Sequence, residues 1–270
     1  MWKKRAFQIA LFTENDEEFI EQCLKNINNI LKDEDWILVC ADNGSTDNTI
    51  EKISQLKDSL SCKDSYLFKY KKQTTIGAAK NKLLSNCSTL GLEYPLVFYT
   101  EPQDIFQAER LNLYEEAKNK NAPLIVGAWT WGVRESSAYW TEEEKGVKRA
   151  KHAAELLEFP LGATLIHSNI LSSTAENHFL NQNIDYYEEV LTWYKIRYLV
   201  EHYDILASES ENSVLYHILN KKNKLKMEDV EKMKMHRSIF WAAAKKIKNS
   251  SMKHVEELID KKKAKKTKKG

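Results

Sequence analysis

The sequence predicts an α/β fold built on a doubly wound, mostly parallel sheet flanked by helices. Three observations carry this. Between residues 6 and 105, short apolar runs alternate with stretches of helical periodicity, as βαβ units require. The runs at 6–12 and 36–41 are apolar at almost every position, the pattern of strands covered on both faces. Each run ends in turn-forming polar residues, and right-handed crossovers between parallel strands bring those clusters to one edge.

Ala6 to Phe12 is the first expected strand. Thr13-Glu14-Asn15-Asp16 ends it and caps a helix, in which Phe19, Ile20, Cys23, Leu24, Ile27 and Ile30 recur at helical spacing from Glu17 onward. Trp36 to Ala41 is the second strand, running into Asp42-Asn43-Gly44-Ser45-Thr46-Asp47. Gly44 tolerates positive φ and Asn43 nearly does, which supplies a tight turn. Ser45, Thr46 or Asp47 then caps a helix over Thr49 to Leu60. Tyr66 to Tyr70 is a third strand, and Thr75-Ile76-Gly77-Ala78 opens a helix that buries Leu83 and Leu84. Pro95 to Tyr99 is a fourth strand, ending in Thr100-Glu101-Pro102-Gln103-Asp104.

The second half is expected to hold a helix over Leu111 to Lys120 and a strand over Leu124 to Trp131. An aromatic loop through Tyr139-Trp140 and a helix over Ala150 to Leu157 come next, then a strand over Gly162 to His167. Tyr187 to Val200 is an amphipathic helix opened by Glu188-Glu189, and Val214 to Leu219 is a last strand. Glu228 to Ile259 keeps helical periodicity. The expected organisation is one domain over 1–225, a helical C-terminal extension over 226–260 and a basic disordered tail over 261–270.

No apolar run approaches the roughly 20 residues needed to span a bilayer. The start, Met1-Trp2-Lys3-Lys4-Arg5, leads into a segment too short and polar for a signal peptide's core. The four cysteines lack a CxxC pair, and Cys23, Cys40 and Cys87 fall in apolar stretches while Cys62 does not. They read as small hydrophobes in a reducing compartment, so a cytoplasmic protein is expected. The net charge of +2 hides an asymmetry, because residues 261–270 carry seven lysines and no acid. Removing those seven charges leaves the body at −5. A lysine tail of this kind is usually only solvated, with peripheral contact at the inner face of the cell membrane as its candidate partner. The acidic body argues against nucleic acid, since phosphate contacts need a basic face.

This order of motifs resembles the family-2 glycosyltransferases of the GT-A fold, which use nucleotide-sugars. The family opens with a strand, a polar Asn-containing turn and a helix rich in Glu and Leu. Here that is Leu11-Phe12-Thr13-Glu14-Asn15-Asp16-Glu17-Glu18-Phe19-Ile20. Its next strand ends close to Asp-Asp-Gly-Ser-Thr-Asp, here Asp42 to Asp47. A Gly, then Ala-Arg-Asn, opens a later helix, here Gly77 and Ala79-Lys80-Asn81. Each motif alone is weak. Together, in the right order, they are specific, strongly over residues 6–105 and more weakly to about 220.

The resemblance implies that Asp42 hydrogen-bonds the nucleotide base and that Thr13, Glu14 and Asn15 line its pocket, with Gly44 and Gly77 beside them. Lys80 stands in for the family's Arg, keeping its charge but not its planar fork. The family's Asp-x-Asp after the fourth strand holds Mn²⁺ or Mg²⁺ against the donor diphosphate. This chain has Glu101-Pro102-Gln103-Asp104 instead. Gln103 falls on the principal ligand's place, which leaves Glu101 and Asp104 as candidate metal ligands. Inverting members deprotonate the acceptor with a carboxylate at a helix start. Glu188-Glu189 matches that position, with Glu189 as the base.

The implied activity is transfer of a sugar from a nucleotide-sugar, a UDP-sugar by preference, to a hydroxyl of a glycan or lipid-linked acceptor. The alternative is a decayed scaffold that partners an active transferase. Trp129, Trp131, Tyr139 and Trp140 would lie on the acceptor side, although aromatics are also ordinary core material. His167 reads as a core or loop histidine, and His236-Arg237 as part of a solvated helix face. Bland readings stand beside the others too: strand-end caps for Asp42, Glu101 and Asp104, an exposed helix lysine for Lys80, and helix-dipole complement for Glu188 and Glu189.

Overall fold

The computed structural model describes residues 5–72, 75–91, 93–122, 124–133, 161–173, 205–207 and 214–219. In chain order the strands are β1 (Ala6–Thr13), β2 (Asp35–Asp42), β3 (Asp64–Lys69), β4 (Leu96–Thr100), β5 (Asp104–Ile105), β6 (Leu124–Val126), β7 (Ala128–Val133), β8 (Thr164–His167), β9 (Ile205–Ala207) and β10 (Val214–Leu219). The helices are α1 (Ile20–Leu31), α2 (Thr49–Leu56), α3 (Ile76–Thr89), α4 (Leu111–Asn119) and α5 (Ser168–Ser173).

Seven strands form the main sheet in the order β3-β2-β1-β4-β8-β6-β9. β3, β2, β1 and β4 run parallel, β8 is antiparallel to both β4 and β6, and β9 is parallel to β6. The expectation of a mostly parallel, doubly wound sheet flanked by helices therefore holds. A second sheet, β5-β10-β7, brings the chain just after β4 against β10.

The period of two along each strand sorts side chains between two cores. Phe7, Ile9, Leu11, Trp36, Leu38, Cys40 and Phe98 meet Ile20, Leu24 and Ile27 of α1, Ile53 of α2 and Leu113 of α4. Ala10, Phe12, Ile37, Val39, Ala41, Val97 and Tyr99 meet Ala79, Leu83, Leu84 and Cys87 of α3 and Ile170 of α5. Helices thus cover both faces, and the continuous apolar runs are explained. Cys23, Cys40 and Cys87 are buried and Cys62 half-buried, all as thiols.

Several boundaries depart from expectation. Leu124 to Trp131 is not one strand. The chain breaks at Gly127, whose N–H donates to the Ala163 carbonyl at 2.9 Å, and the two halves join different sheets. α1 starts at Ile20, because the Asp16 carbonyl first closes a turn onto the N–H groups of Phe19 and Ile20. α2 stops at Leu56 and tightens into a 3-10 turn over Lys57–Ser59. The strand expected from Gly162 starts at Thr164, after a 3-10 turn in which the Thr164 hydroxyl donates to the Leu161 carbonyl at 2.7 Å. The helices expected at 150–157, 187–200 and 228–259, the boundaries at 225 and 260, and the lysine tail lie outside the described residues.

Candidate active site

Sheet order locates the crevice. α1 carries the chain from β1 outward to β2 on one face, and α3 returns it across the other face to β4 on β1's opposite side. Strand order reverses between β1 and β4, and ligands of open α/β sheets bind outside strand carboxyl ends at such a switch point. The register sets Thr13, Asp42 and Lys69 level across β1, β2 and β3, so their loops leave side by side.

Those loops are stitched into one rim. Asp42 is fully buried beneath its own turn. Its Oδ2 accepts the Gly44 and Ser45 N–H groups at 3.0 Å each, and its Oδ1 accepts the Ser45 hydroxyl. Gly44 has φ 76°, and a Cβ there would lie 2.8 Å from the Lys72 backbone nitrogen, so only glycine fits. Asn15, itself at φ 55°, donates its N–H to the Ser45 hydroxyl at 2.8 Å and accepts the Thr46 N–H at 2.8 Å. The Glu14 carboxylate accepts the Asn43 amide at 2.6 Å and pairs with Lys72 beyond β3.

Asp16 ties this rim to the β4 side. Its carboxylate accepts the Thr13 hydroxyl and the Glu14 N–H at 2.9 Å each, and the Gln103 amide donates to its other oxygen. Burial pushes this carboxyl up to about 6, against the downward pull of the Thr13 and Gln103 hydrogen bonds. Lys80, on the second turn of α3, places Nζ 3.0 Å from Glu101, and the Tyr99 hydroxyl donates to the same carboxylate oxygen at 2.8 Å. Asp104 turns inward, accepting the Glu101 N–H at 2.8 Å and the Thr100 hydroxyl at 3.4 Å. Behind it, the buried Arg110 guanidinium donates to the Gly162 carbonyl, and burial lowers it to about 10 against the pull of Asp104.

The structure thus brings together Thr13, Glu14, Asn15, Asp42, Gly44, Lys80, Glu101, Gln103 and Asp104, and buries Gly77 in the first turn of α3. Asp47 accepts the Thr49 N–H at 3.0 Å and the Thr49 hydroxyl at 2.6 Å, but neither it nor Ser45 or Thr46 is the cap of α2: that position is Asn48, which makes no side-chain cap bond. His167 is half-buried at the end of β8, accepts the Asn169 N–H at 3.2 Å and is lowered by burial, as a loop histidine should be. Trp129 and Trp131 lie on β7. Glu188, Glu189, Tyr139, Trp140, His236 and Arg237 lie outside the described residues.

Sequence reasoning did not single out Asp16 or Tyr99. Asp16 was legible only as a cap after Thr13-Glu14-Asn15. Its partner Gln103 lies 87 residues along the chain, and nothing local announces that pairing.

The expected metal ligands are committed elsewhere: Glu101 to Lys80 and Tyr99, Asp104 to the Glu101 N–H and Thr100. Among the described residues no three His, Cys, Asp or Glu side chains converge as a metal would need. They do not assemble the oxygen donor set that Mg²⁺ or Mn²⁺ takes.

Glycosyl transferase family 2 matches residues 9–199. No curated protein matches the sequence. Residues 1–349 of TarS from S. aureus superpose with TM-score 0.58 at 14% identity, over 79% of this chain and 60% of that one. The same protein in complex with UDP-GlcNAc gives TM-score 0.60 at 13% identity, over 85% and 65%. The mannosyltransferase PcManGT from Pyrobaculum calidifontis, solved with GDP-Man and Mn²⁺, gives 0.56 at 13%, over 83% and 59%. This chain therefore spans less than two thirds of those proteins' lengths. At such identities the likeness is one of fold, and the fold is GT-A. With the match over residues 9–199, the chain belongs to glycosyl transferase family 2.

Proposed function

We propose that this chain moves a sugar from a UDP-sugar to a hydroxyl of a glycan or lipid-linked acceptor, with inversion at the anomeric carbon. The observation that carries the reading is the single rim of hydrogen bonds joining the loops after β1, β2, β3 and β4 at the switch point. The choice of UDP follows the TarS structures, solved with UDP and with UDP-GlcNAc.

In this reading the base sits at the turn that the buried Asp42 carboxylate holds through Gly44 and Ser45, and Thr13, Glu14 and Asn15 border the nucleotide. Glu189 takes the proton of the acceptor hydroxyl as its oxygen attacks the anomeric carbon. The bond to the diphosphate breaks in the same displacement, and the nucleoside diphosphate leaves with the electron pair. The reading places the protein in the cytoplasm, with the lysines of 261–270 as a peripheral contact for an anionic membrane face. No helix among the described residues is long and apolar enough to cross a membrane.

The test is turnover of a UDP-sugar panel, with nucleotide release and anomeric configuration read by NMR. Glu189→Gln should keep donor binding and lower turnover by at least about a hundredfold. Full turnover in that variant removes Glu189 as the base, and a product of retained configuration removes inversion. Donor binding without turnover for any UDP-, GDP-, CMP- or dTDP-sugar favours the scaffold reading, which the amide at Gln103 motivates.

A further inference from the structure

The acids around the switch point are all answered by donors of this chain. Glu101 holds Lys80 and Tyr99, Asp104 holds the Glu101 N–H, and Asp16 holds Thr13, Glu14 and the Gln103 amide. Gln103 therefore turns an N–H, not an oxygen, toward the nearest carboxylate. Among the described residues, Lys80 is the positive charge seated on Glu101. Its side chain is only 7% exposed, and Nζ lies 5.9 Å and 5.7 Å from the ring centroids of Phe12 and Tyr99, whose faces attract a cation. Those rings belong to the next-to-last residues of β1 and β4, the two strands that flank the crevice. A divalent cation brought to Glu101 would meet the ammonium already seated there, two cations competing for one carboxylate. The ammonium, by contrast, is a hydrogen-bond donor of the kind a phosphate oxygen accepts.

We propose that the Lys80 ammonium meets the charge of the donor diphosphate in place of a divalent cation, so that nucleotide-sugar binding by this chain needs no metal. The inference rests on the transfer reading above and deepens it. It makes Lys80 a donor-binding residue and Glu101 the group that aims it. Tyr99 holds Glu101 in that position through its hydroxyl.

The experiment is calorimetric titration of the full chain with UDP-, GDP-, CMP- and dTDP-sugars, once with Mn²⁺ and once after EDTA. The dissociation constant of the bound donor should agree between the two within about twofold. Lys80→Met should weaken binding by at least about tenfold, the loss of a charge-assisted contact, while Lys80→Arg retains most of it. Melting curves of each variant establish that it is folded, and the EDTA arm needs no variant at all. Binding that appears only with Mn²⁺ overturns the inference and leaves the transfer reading standing. So does a folded Lys80→Met protein with parental affinity. A chain that binds none of the four donors under either condition overturns the transfer reading, and the inference with it.

Discussion

Asp16 concentrates the electrostatics of the rim in one carboxylate. It is 8% exposed, and its own N–H donates to the Thr49 hydroxyl at 2.8 Å, so the side chain has little room to leave. Burial raises it to about 6, with the charges of Glu101 and Asp47 adding to the rise. In the unfolded chain the same carboxyl titrates near 3.8. The folded state therefore binds the proton more tightly, and protonation favours folding. That contribution is full below about pH 4 and is lost as pH rises through about 6, with a ceiling of about 3 kcal/mol. Asp16→Asn keeps an acceptor for Thr13 and Glu14, and Gln103 can turn its amide over to meet the new one. Denaturant melts between pH 4 and 7 should then show a flatter pH dependence than the parent. An equal slope in both would remove Asp16 as its source. Gly44 supplies a second prediction at this scale. Gly44→Ala should cost roughly 1–3 kcal/mol, because φ 76° and the Lys72 backbone both oppose a Cβ. A variant as stable as the parent would mean that the turn is looser than its hydrogen bonds imply. Thr13, Asn15 and Asp42 were legible as site residues because each follows a strand that the apolar pattern defines. Asp16 was not, because burial is not written in a turn's composition.

α3 is the element on which the lysine argument depends. Thr75 caps it, its hydroxyl accepting the Ala78 N–H at 3.2 Å, and Gly77 and Lys80 follow within the first two turns. Thr75→Ala should cost about 1 kcal/mol and loosen that end of the helix. It should also weaken donor binding, since Lys80 loses its fixed stem. An unchanged melting temperature and donor affinity would show that Lys80 is held by Glu101 and the two rings alone. The strands β1, β2 and β4 were legible to within a residue or two, because helices on both faces demand an unbroken apolar run. The division at Gly127 was not, because both halves are apolar and the turn is set by a contact to Ala163 far along the chain. β5 and β9, of two and three residues, are too short to leave a period.

At the scale of the molecule, the alternation of strands and helices was enough to place the crevice. Parallel strands with right-handed crossovers leave one position where the order reverses, and four polar loops gather there. The way the second half adds to that sheet was not legible. β8 enters antiparallel beside β4, and β5, β7 and β10 form a sheet of their own that backs the loop carrying Glu101 to Asp104. Only the closed fold shows that this loop's acids face donors of the same chain. The central claim is that a nucleotide-sugar sits in this crevice with its base at Asp42. Calorimetric titration of the parent and of a folded Asp42→Ala variant with the donor sugars tests it most directly. The account predicts saturable binding at one site in the parent and its loss in Asp42→Ala. A donor bound with equal affinity by both proteins would contradict it.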